Sequence, residues 1–269
     1  MPFVGDYYYQ QFGQENEEAI LFLHGFLGTH EDWQEVISFL SKRFRCIAVD
    51  LPGHGRSKMR RELEGMAGVA KDMIGLMDAW QVTQARVVGY SMGGRIALYL
   101  LLHYPHRFCA GVLESASPGL EEQNERDQRN AYDERIALQL ESGDFRSFLQ
   151  RWYNQPVFAL PDASPQFKRM IEKRAHSVDP VRCAASLRLL GLGRQPSLWA
   201  SLSSLDRPTL LLVGEKDIKF VRIAQKMRTL SPRFAVLTFA QCGHNIHFQE
   251  GENMASAMNE FVERKGIYS

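Results

Sequence analysis

Short apolar runs alternate with amphipathic stretches in the first and last parts of the chain. Six of the runs have the length of buried strands, at residues 19–23, 45–49, 85–90, 108–114, 209–213 and 234–239. Apolar residues spaced three and four apart predict helices over 65–80, 92–104, 221–230 and 253–264. This alternation predicts an α/β fold in which a mostly parallel sheet is covered by helices on both faces.

The middle of the chain has a different pattern. From Pro118 to Ser204 there is no strand-like run, only helical spacing over 128–140, 145–153, 166–175 and 181–192. A helical segment between two halves of an α/β pattern is expected to lie over the carboxyl edge of the sheet, where ligands bind in open α/β folds. We therefore predict an α/β core of residues 1–117 and 205–269 and an inserted helical cap, or lid, of residues 118–204.

Composition narrows the class of protein. The 269 residues are 45% hydrophobic with a formal net charge of +1, which favours a folded domain and excludes general disorder. The balanced charge argues against a nucleic-acid or anionic membrane partner, and the apolar runs are too short to span a bilayer. The first six residues have no signal-peptide pattern, and the four scattered cysteines favour reduced thiols over a disulfide framework or a zinc site. These features predict a cytoplasmic protein and leave its oligomeric state open.

The strongest local signal for chemistry is Gly89-Tyr90-Ser91-Met92-Gly93, a G-x-S-x-G sequence between a predicted strand and a predicted helix. That context is typical of a nucleophile elbow, a tight turn that exposes a serine at the sheet edge. The helix N-terminus beside the serine favours developing negative charge. The alternative interpretation is a glycine-rich helix start with a capping serine.

A serine nucleophile or base needs a histidine that is oriented by a carboxylate, and the expected chain order is Ser, then Asp or Glu, then His. Asp217 and His244 follow two successive predicted strands in that order. Glu215 is the rival acid and His247 the rival base; the Gly243-His244 turn favours His244. We predict Ser91, Asp217 and His244 as the catalytic residues.

An oxyanion hole requires two backbone N–H groups that point at the developing charge. Met92, directly after the serine, is expected to supply one of them. Phe26, in the His24-Gly25-Phe26 sequence that follows the first buried strand, is expected to supply the other.

With these residues in place, the chain resembles the α/β-hydrolase superfamily. The resemblance runs through residues 24–26 (HGF), 50–57 (DLPGHGRS), 89–94 (GYSMGG), 214–217 (GEKD) and 243–244 (GH). It covers essentially the whole chain, with 118–204 as the cap. Superfamily membership implies a fold and a triad but does not define a reaction.

Two longer runs narrow the resemblance. Arg95 lies four residues after the serine on the same helix face, and so close a cation suggests an anionic substrate. Residues 89–95 (GYSMGGR) and 152–158 (WYNQPVF) are similar to those of the 2-succinyl-6-hydroxy-2,4-cyclohexadiene-1-carboxylate synthases of menaquinone biosynthesis. The resemblance implies a lyase that removes pyruvate from 2-succinyl-5-enolpyruvoyl-6-hydroxy-3-cyclohexene-1-carboxylate, with neither cofactor nor metal.

The same resemblance implies roles for residues outside the triad. The substrate has three carboxylates, and guanidinium groups grip carboxylates bidentately. The residues expected to bind it are the arginines Arg95, Arg129 and Arg174 and the aromatic residues Tyr90, Trp152 and Tyr153. Arg126 competes with Arg129 and Lys173 with Arg174 for these roles, and Trp152 and Tyr153 could instead form the core of the cap.

Two other functions remain open. A carboxylesterase or carbon–carbon bond hydrolase would use the same triad through an acyl-enzyme, although Arg95 beside the serine argues against it. A non-catalytic binding protein could use the same fold, but binding alone requires no activated serine.

Overall fold

A single sheet of eight strands forms the centre of the computed structural model, which describes residues 3–60, 62–159 and 165–263. The strands are β1 (Phe3–Val4), β2 (Tyr7–Phe12), β3 (Ala19–Leu23), β4 (Arg45–Val49), β5 (Ala85–Tyr90), β6 (Phe108–Glu114), β7 (Thr209–Gly214) and β8 (Phe234–Phe239). Their order across the sheet is β1-β2-β4-β3-β5-β6-β7-β8. The first two strands pair antiparallel, and the six that follow in the order are parallel.

Ten α-helices are found in the described ranges. They are α1 (Gln34–Leu40), α2 (Gly65–Ala79), α3 (Met92–His103), α4 (Gln123–Ser142), α5 (Phe145–Tyr153), α6 (Pro165–Ser177), α7 (Pro180–Leu190), α8 (Ile218–Leu230), α9 (Ile246–Gln249) and α10 (Gly251–Glu263). Short 3₁₀ helices occur at His30–Trp33, Pro156–Phe158 and Trp199–Ser204.

The central strands are apolar without interruption because both faces of the sheet are covered. In β3, Leu21 and Leu23 belong to the hydrophobic cluster on one face, and Ile20 and Phe22 belong to the cluster on the other. Helices α2, α3 and α8 pack on the first face, and α1 and α10 pack on the second. Successive side chains of a strand point to opposite faces, so a strand buried on both faces needs apolar residues at every position. The predicted α/β fold with a mostly parallel sheet is confirmed.

The predicted and observed elements differ near the edge of the sheet and at the ends of some helices. The strand β2 reads YYYQQF and has half-buried positions, so it lacks the apolar run of a central strand. Helix α4 begins at Gln123, ahead of the predicted start at 128, because its first turns are polar and show no apolar period. The predicted final helix matches α10 in place, and its last predicted residue, Arg264, lies outside the described residues.

Helices α4 to α7 lie between β6 and β7, and the described part of this segment contains no strand. They form a third hydrophobic cluster that includes Ile136, Leu140, Phe148, Met170 and Leu187. The limits of the cap at 118 and 204, and any motion of it as a lid, stay a prediction. Within the described ranges, no helix combines the length and the apolar character needed to cross a membrane.

Candidate active site

Ser91 occupies a strained turn between β5 and α3. Its backbone has φ 49° and ψ −104°, in the left-handed half of φ space that non-glycine residues rarely adopt. The turn is held by the Ser91 N–H, which donates to the Glu114 carbonyl at 2.9 Å. A Cβ atom at Gly93 would overlap the backbone of Leu23, and one at Gly89 would overlap the backbone of Gly93. The two glycines of the motif therefore allow the close approach that exposes the serine hydroxyl.

Ser91, His244 and Asp217 form a hydrogen-bonded chain. The distance from Ser91 Oγ to His244 Nε2 is 3.1 Å, and that from His244 Nδ1 to Asp217 Oδ2 is 2.6 Å. A carboxylate only accepts, so Nδ1–H donates to Asp217 and leaves Nε2 as the acceptor for the serine hydroxyl. The side chains of His244 and Asp217 are 9% and 1% exposed, which protects this chain from competing water. The arrangement can move a proton from a substrate to the imidazole through, or beside, the serine oxygen.

The rival acid and base occupy other positions. Glu215 is exposed and accepts from the Gln241 N–H at 2.9 Å. His247 is fully buried, and its Nδ1 lies 2.8 Å from both carboxylate oxygens of Glu114. Neither side chain contacts the serine, so the geometry favours Asp217 and His244.

The loop that carries His244 is held by the 3₁₀ helix Pro156–Phe158. The His244 N–H donates to the Val157 carbonyl at 2.9 Å. A Cβ atom at Gly243 would overlap the backbone of Phe158, and the Phe158 ring stands edge-on to the imidazole at 5.8 Å. On the other side, the Phe220 ring lies 4.6 Å from the imidazole. The imidazole is therefore positioned by the 3₁₀ helix Pro156–Phe158 on one side and by Phe220 of α8 on the other.

Phe26 and Met92 lie at the wall of the same cavity as Ser91. Met92 is the first residue of α3, and the N–H groups of a first helical turn have no acceptor within the helix. After Phe26 the backbone turns through Leu27, whose φ is 62° and whose N–H donates to His54 Nε2 at 3.2 Å. Burial, with the neighbouring His24, lowers the pKa of His54 to about 3, so the neutral ring accepts this bond. Both residues predicted to supply the oxyanion donors therefore line the cavity that contains Ser91.

The cavity at Ser91 has a volume of about 300 Å³ and mixes apolar with cationic side chains. Phe26 and Trp152 form part of its wall, with their ring centroids 5.6 Å apart. Arg95, Arg129 and Lys219 also line it. In the three described ranges, no cluster of three or more histidine, cysteine, aspartate or glutamate side chains could hold a metal ion. The cavity suits a small organic anion with an apolar body.

Arg95 is half-buried between the core and the segment of Leu190 and Gln195. Its Nη1 donates to Gln195 Oε1 and its Nη2 to the Leu190 carbonyl, both at 2.9 Å. Burial, reinforced by the nearby Arg129, lowers the pKa of Arg95 to about 10, which still leaves it charged at neutral pH. These contacts use two of its five N–H donors, and the carboxylate that acts on its charge is that of Asp133.

Arg129 projects from α4 to the same cavity. Its Nε donates to Asp133 Oδ1 at 2.7 Å, and its guanidinium carbon lies 5.6 Å from the centre of the Tyr132 ring. The competing Arg126 instead donates to the backbone carbonyls of Leu120 and Glu121 and does not line the cavity. Of the two candidates on this helix, Arg129 is the one that lines the cavity of Ser91.

Three of the residues expected to bind substrate are placed elsewhere. Arg174 Nη1 and Nη2 donate to the two carboxylate oxygens of Asp32 at 2.6 and 2.7 Å, and its Nε donates to Tyr153 Oη at 3.1 Å. Tyr90 is buried beside His244, with the ring centroids 5.4 Å apart. Arg174, Tyr153 and Tyr90 are not among the side chains that line the cavity. Arg174 points instead to Asp32 in the 3₁₀ helix His30–Trp33. The alternative Lys173 donates to the Glu31 carbonyl.

Sequence patterns missed several residues of the cavity wall, among them Lys219, Gln155 and Tyr132. Lys219 lies two residues after Asp217, in the first turn of α8, and therefore at the same edge of the sheet as the triad. Tyr132 follows Arg129 by almost one helical turn. Both positions could have been inferred by extending the triad and the arginine motif along their helices.

Comparison with known proteins agrees with this geometry. A family model described as the alpha/beta hydrolase fold matches residues 18–251. This range includes the serine turn, Asp217, His244 and helices α4 to α7. The chain belongs to the α/β-hydrolase fold family.

More similar relatives define the branch of that family. The 2-succinyl-6-hydroxy-2,4-cyclohexadiene-1-carboxylate synthase of Citrobacter koseri is 33% identical, over 93% of this chain and 95% of that protein. The structure of MenH from S. aureus has a TM-score of 0.89 at 28% identity and covers 97% of this chain and 99% of that one. The chloroplastic protein PHYLLO of Arabidopsis thaliana is 32% identical over 94% of this chain, which spans only 16% of PHYLLO. The chain belongs to the 2-succinyl-6-hydroxy-2,4-cyclohexadiene-1-carboxylate synthase family, which confirms the resemblance drawn from its motifs.

Proposed function

We propose that the protein is a lyase of menaquinone biosynthesis that eliminates pyruvate from 2-succinyl-5-enolpyruvoyl-6-hydroxy-3-cyclohexene-1-carboxylate. The product is 2-succinyl-6-hydroxy-2,4-cyclohexadiene-1-carboxylate. One observation supports this proposal above the others. Ser91, which is hydrogen-bonded to His244 and through it to Asp217, lines a cavity that Arg95 and Arg129 also line. A base beside two guanidinium groups suits proton removal from a polycarboxylate.

The reaction begins with the ring proton next to the succinyl ketone, which is acidic because the ketone can delocalise the electron pair. Ser91 Oγ removes this proton while His244 Nε2 accepts the proton of the serine hydroxyl. Asp217, at 2.6 Å from Nδ1, stabilises the imidazolium that forms. The ketone oxygen becomes an enolate, which the N–H groups of Phe26 and Met92 stabilise.

Collapse of the enolate completes the elimination. Its electron pair moves through the ring double bond, a new conjugated double bond forms, and the carbon–oxygen bond to the enolpyruvoyl group breaks. The leaving enolate takes up a proton and becomes pyruvate, so the imidazolium can return the proton that it received. No bond forms between the serine and the substrate, and no acyl-enzyme is required.

The charges of the cavity match those of the substrate. Arg95, near the serine turn, and Arg129, on α4, bind carboxylates of the substrate. Lys219 lies on another part of the cavity wall, in the first turn of α8. Trp152 and Phe26 supply an apolar wall for the ring. We include Lys219 because the substrate has three carboxylates and Arg174 is already paired with Asp32. We place the reaction in the cytoplasm, since the four free cysteines suit a reducing compartment.

The test is pyruvate release, followed by coupled oxidation of NADH with lactate dehydrogenase. We expect turnover of the enolpyruvoyl substrate by the parent protein and a loss of about 10³-fold or more in kcat for Ser91→Ala. Ser204→Ala, which changes an exposed serine, is the matched control and should retain full activity.

A second assay separates the lyase from a hydrolase. Small uncharged esters should react far more slowly than the enolpyruvoyl substrate, because they offer no carboxylate to Arg95 and Arg129. Faster ester hydrolysis than pyruvate release would reject the proposal in favour of a carboxylesterase. Tight binding of the substrate without either reaction would favour a binding protein.

A further inference from the structure

A buried ion pair joins α6 to the core. Arg174 on α6 forms two parallel hydrogen bonds to Asp32, which lies in the 3₁₀ helix His30–Trp33 after β3. The side chains of Arg174 and Asp32 are 2% and 1% exposed. Bidentate, charge-assisted bonds of this kind are among the most directional in proteins, so the pair defines the distance between α6 and this part of the core.

The carboxylate of this pair also holds the loop of residues 25–29, which we call the oxyanion loop. The Thr29 N–H donates to Asp32 Oδ2 at 3.2 Å, and this is the same oxygen that Arg174 Nη2 binds. The Gly28 N–H donates to the Gly25 carbonyl at 3.0 Å, which closes the loop on itself. A Cβ atom at Gly28 would lie 2.6 Å from Asp32 Oδ2, so the loop packs directly on the carboxylate.

The same buried site reaches the histidine side of the triad. Trp33, next to Asp32, packs on the ring of His247 with the centroids 4.9 Å apart. The guanidinium carbon of Arg174 lies 5.5 Å from the centre of the Phe248 ring. His247 and Phe248 belong to α9, which begins two residues after His244. One ion pair therefore contacts the supports of both the oxyanion loop and the imidazole.

We propose that Arg174 is a positioning residue: through Asp32 it holds the oxyanion loop, and with it the Phe26 N–H, at the distance from Ser91 that the reaction needs. The guanidinium is occupied by Asp32 and Tyr153 and does not bind a carboxylate of the substrate. This inference rests on the proposed function, because a preorganised hole matters only when charge develops on a substrate oxygen.

Kinetics of both partners test the assignment. We expect Arg174→Gln and Asp32→Asn each to lower kcat for pyruvate release by about 10²-fold, the scale of a misplaced or lost oxyanion donor, with KM changed less than about twofold. Arg174→Lys keeps the positive charge but cannot form two parallel hydrogen bonds to Asp32. Its kcat should therefore lie between those of Arg174→Gln and the parent protein, and it is a milder variant if the others fold poorly. If Arg174 bound the substrate, Arg174→Gln would instead raise KM, and Asp32→Asn would leave KM and kcat near those of the parent protein. That outcome would overturn the proposal.

Hydrogen exchange supplies a readout that does not depend on activity. Backbone amides of residues 24–33 should exchange faster in Arg174→Gln than in the parent, while those of β5 remain protected. Unchanged exchange over 24–33 would overturn the proposal even if activity fell. Failure of the parent to release pyruvate would reject the proposed function and leave the exchange result to decide the loop assignment separately.

Arg188→Lys is the matched control. Arg188 on α7 also binds two carboxylates, those of Glu134 and Glu141, but both lie on α4 within the lid. It should leave kcat and the exchange of residues 24–33 unchanged. An equal loss of activity in this control would contradict a specific role for the pair of Arg174 and Asp32.

Discussion

Replacement of Asp217 by asparagine tests the proton path most directly. In the parent, Asp217 Oδ1 accepts from the Phe220 N–H at 3.4 Å and Oδ2 accepts from His244 Nδ1–H at 2.6 Å. An asparagine that keeps the first bond must place its NH₂ group where Oδ2 was. That group is a donor, so the imidazole must take the other tautomer, with its proton on Nε2. Nε2–H then faces Ser91 and cannot accept its proton.

The size of the effect follows from this change of tautomer. In the tautomer that Asp217→Asn favours, Nε2 carries a proton and cannot accept one. The imidazolium that forms in the reaction also lacks the stabilising carboxylate that lies 2.6 Å from Nδ1 in the parent protein. Enzymes with a histidine oriented by aspartate lose about 10⁴-fold in kcat on this substitution, which corresponds to about 5.5 kcal/mol of transition-state stabilisation. We expect a loss of the same order in Asp217→Asn, with KM nearly unchanged because the carboxylate does not line the cavity.

The assay is steady-state pyruvate release with parent, Asp217→Asn and Glu215→Gln proteins. Glu215→Gln is the informative control, because it changes the neighbouring exposed acid without touching the imidazole. It should keep kcat within about twofold of the parent. A loss below tenfold in Asp217→Asn, or an equal loss in both variants, would refute the orienting role of Asp217.

Three further predictions concern the cavity wall, the elbow and acid stability. Lys219→Gln should raise KM by up to about fivefold, a cost of about 1 kcal/mol for an exposed cation, and the effect should shrink at high salt; Lys216→Gln should not change KM. Gly93→Ala places a Cβ into the backbone of β3 and should lower both Tm, by thermal unfolding, and activity; an unchanged Tm would contradict the close approach. Burial alone would raise the pKa of Asp32, but the ion pair with Arg174 lowers it to about 2 from an ordinary 3.8. The stabilisation of about 2 kcal/mol is therefore complete above pH 4 and lost as pH falls towards 2, a dependence that circular dichroism should show in the parent and much less in Arg174→Gln.

Much of the fold was readable from the sequence because its signals are local. The strands β3, β4, β5, β6 and β8 match the predicted runs from end to end, and β7 extends one residue further, to Gly214. Burial on both faces makes such strands apolar throughout, and a neighbouring glycine or proline marks their ends. Strand β2 lies between the two-residue edge strand β1 and β4. It escaped prediction because most of its positions are only half-buried and include two glutamines, so it lacks an apolar run.

The triad could also be inferred from the sequence, because its members follow three strands of the same sheet. Parallel strands carry their carboxyl ends to one edge, so the order of Ser91, Asp217 and His244 along the chain implied that they meet. No comparable rule exists for an arginine on a helix of the lid. Its local pattern is the same whether it faces solvent, a carboxylate of the core or a cavity.

Only the tertiary structure therefore separated Arg129, at the cavity, from Arg174, which is enclosed with Asp32. The two ends of that ion pair are 142 residues apart, and the pairing depends on how α6 is laid across the core. Local sequence determines which segments become strands and helices through propensity and burial pattern. The direction that a long charged side chain takes depends on the packing of whole helices, which is a property of the folded chain.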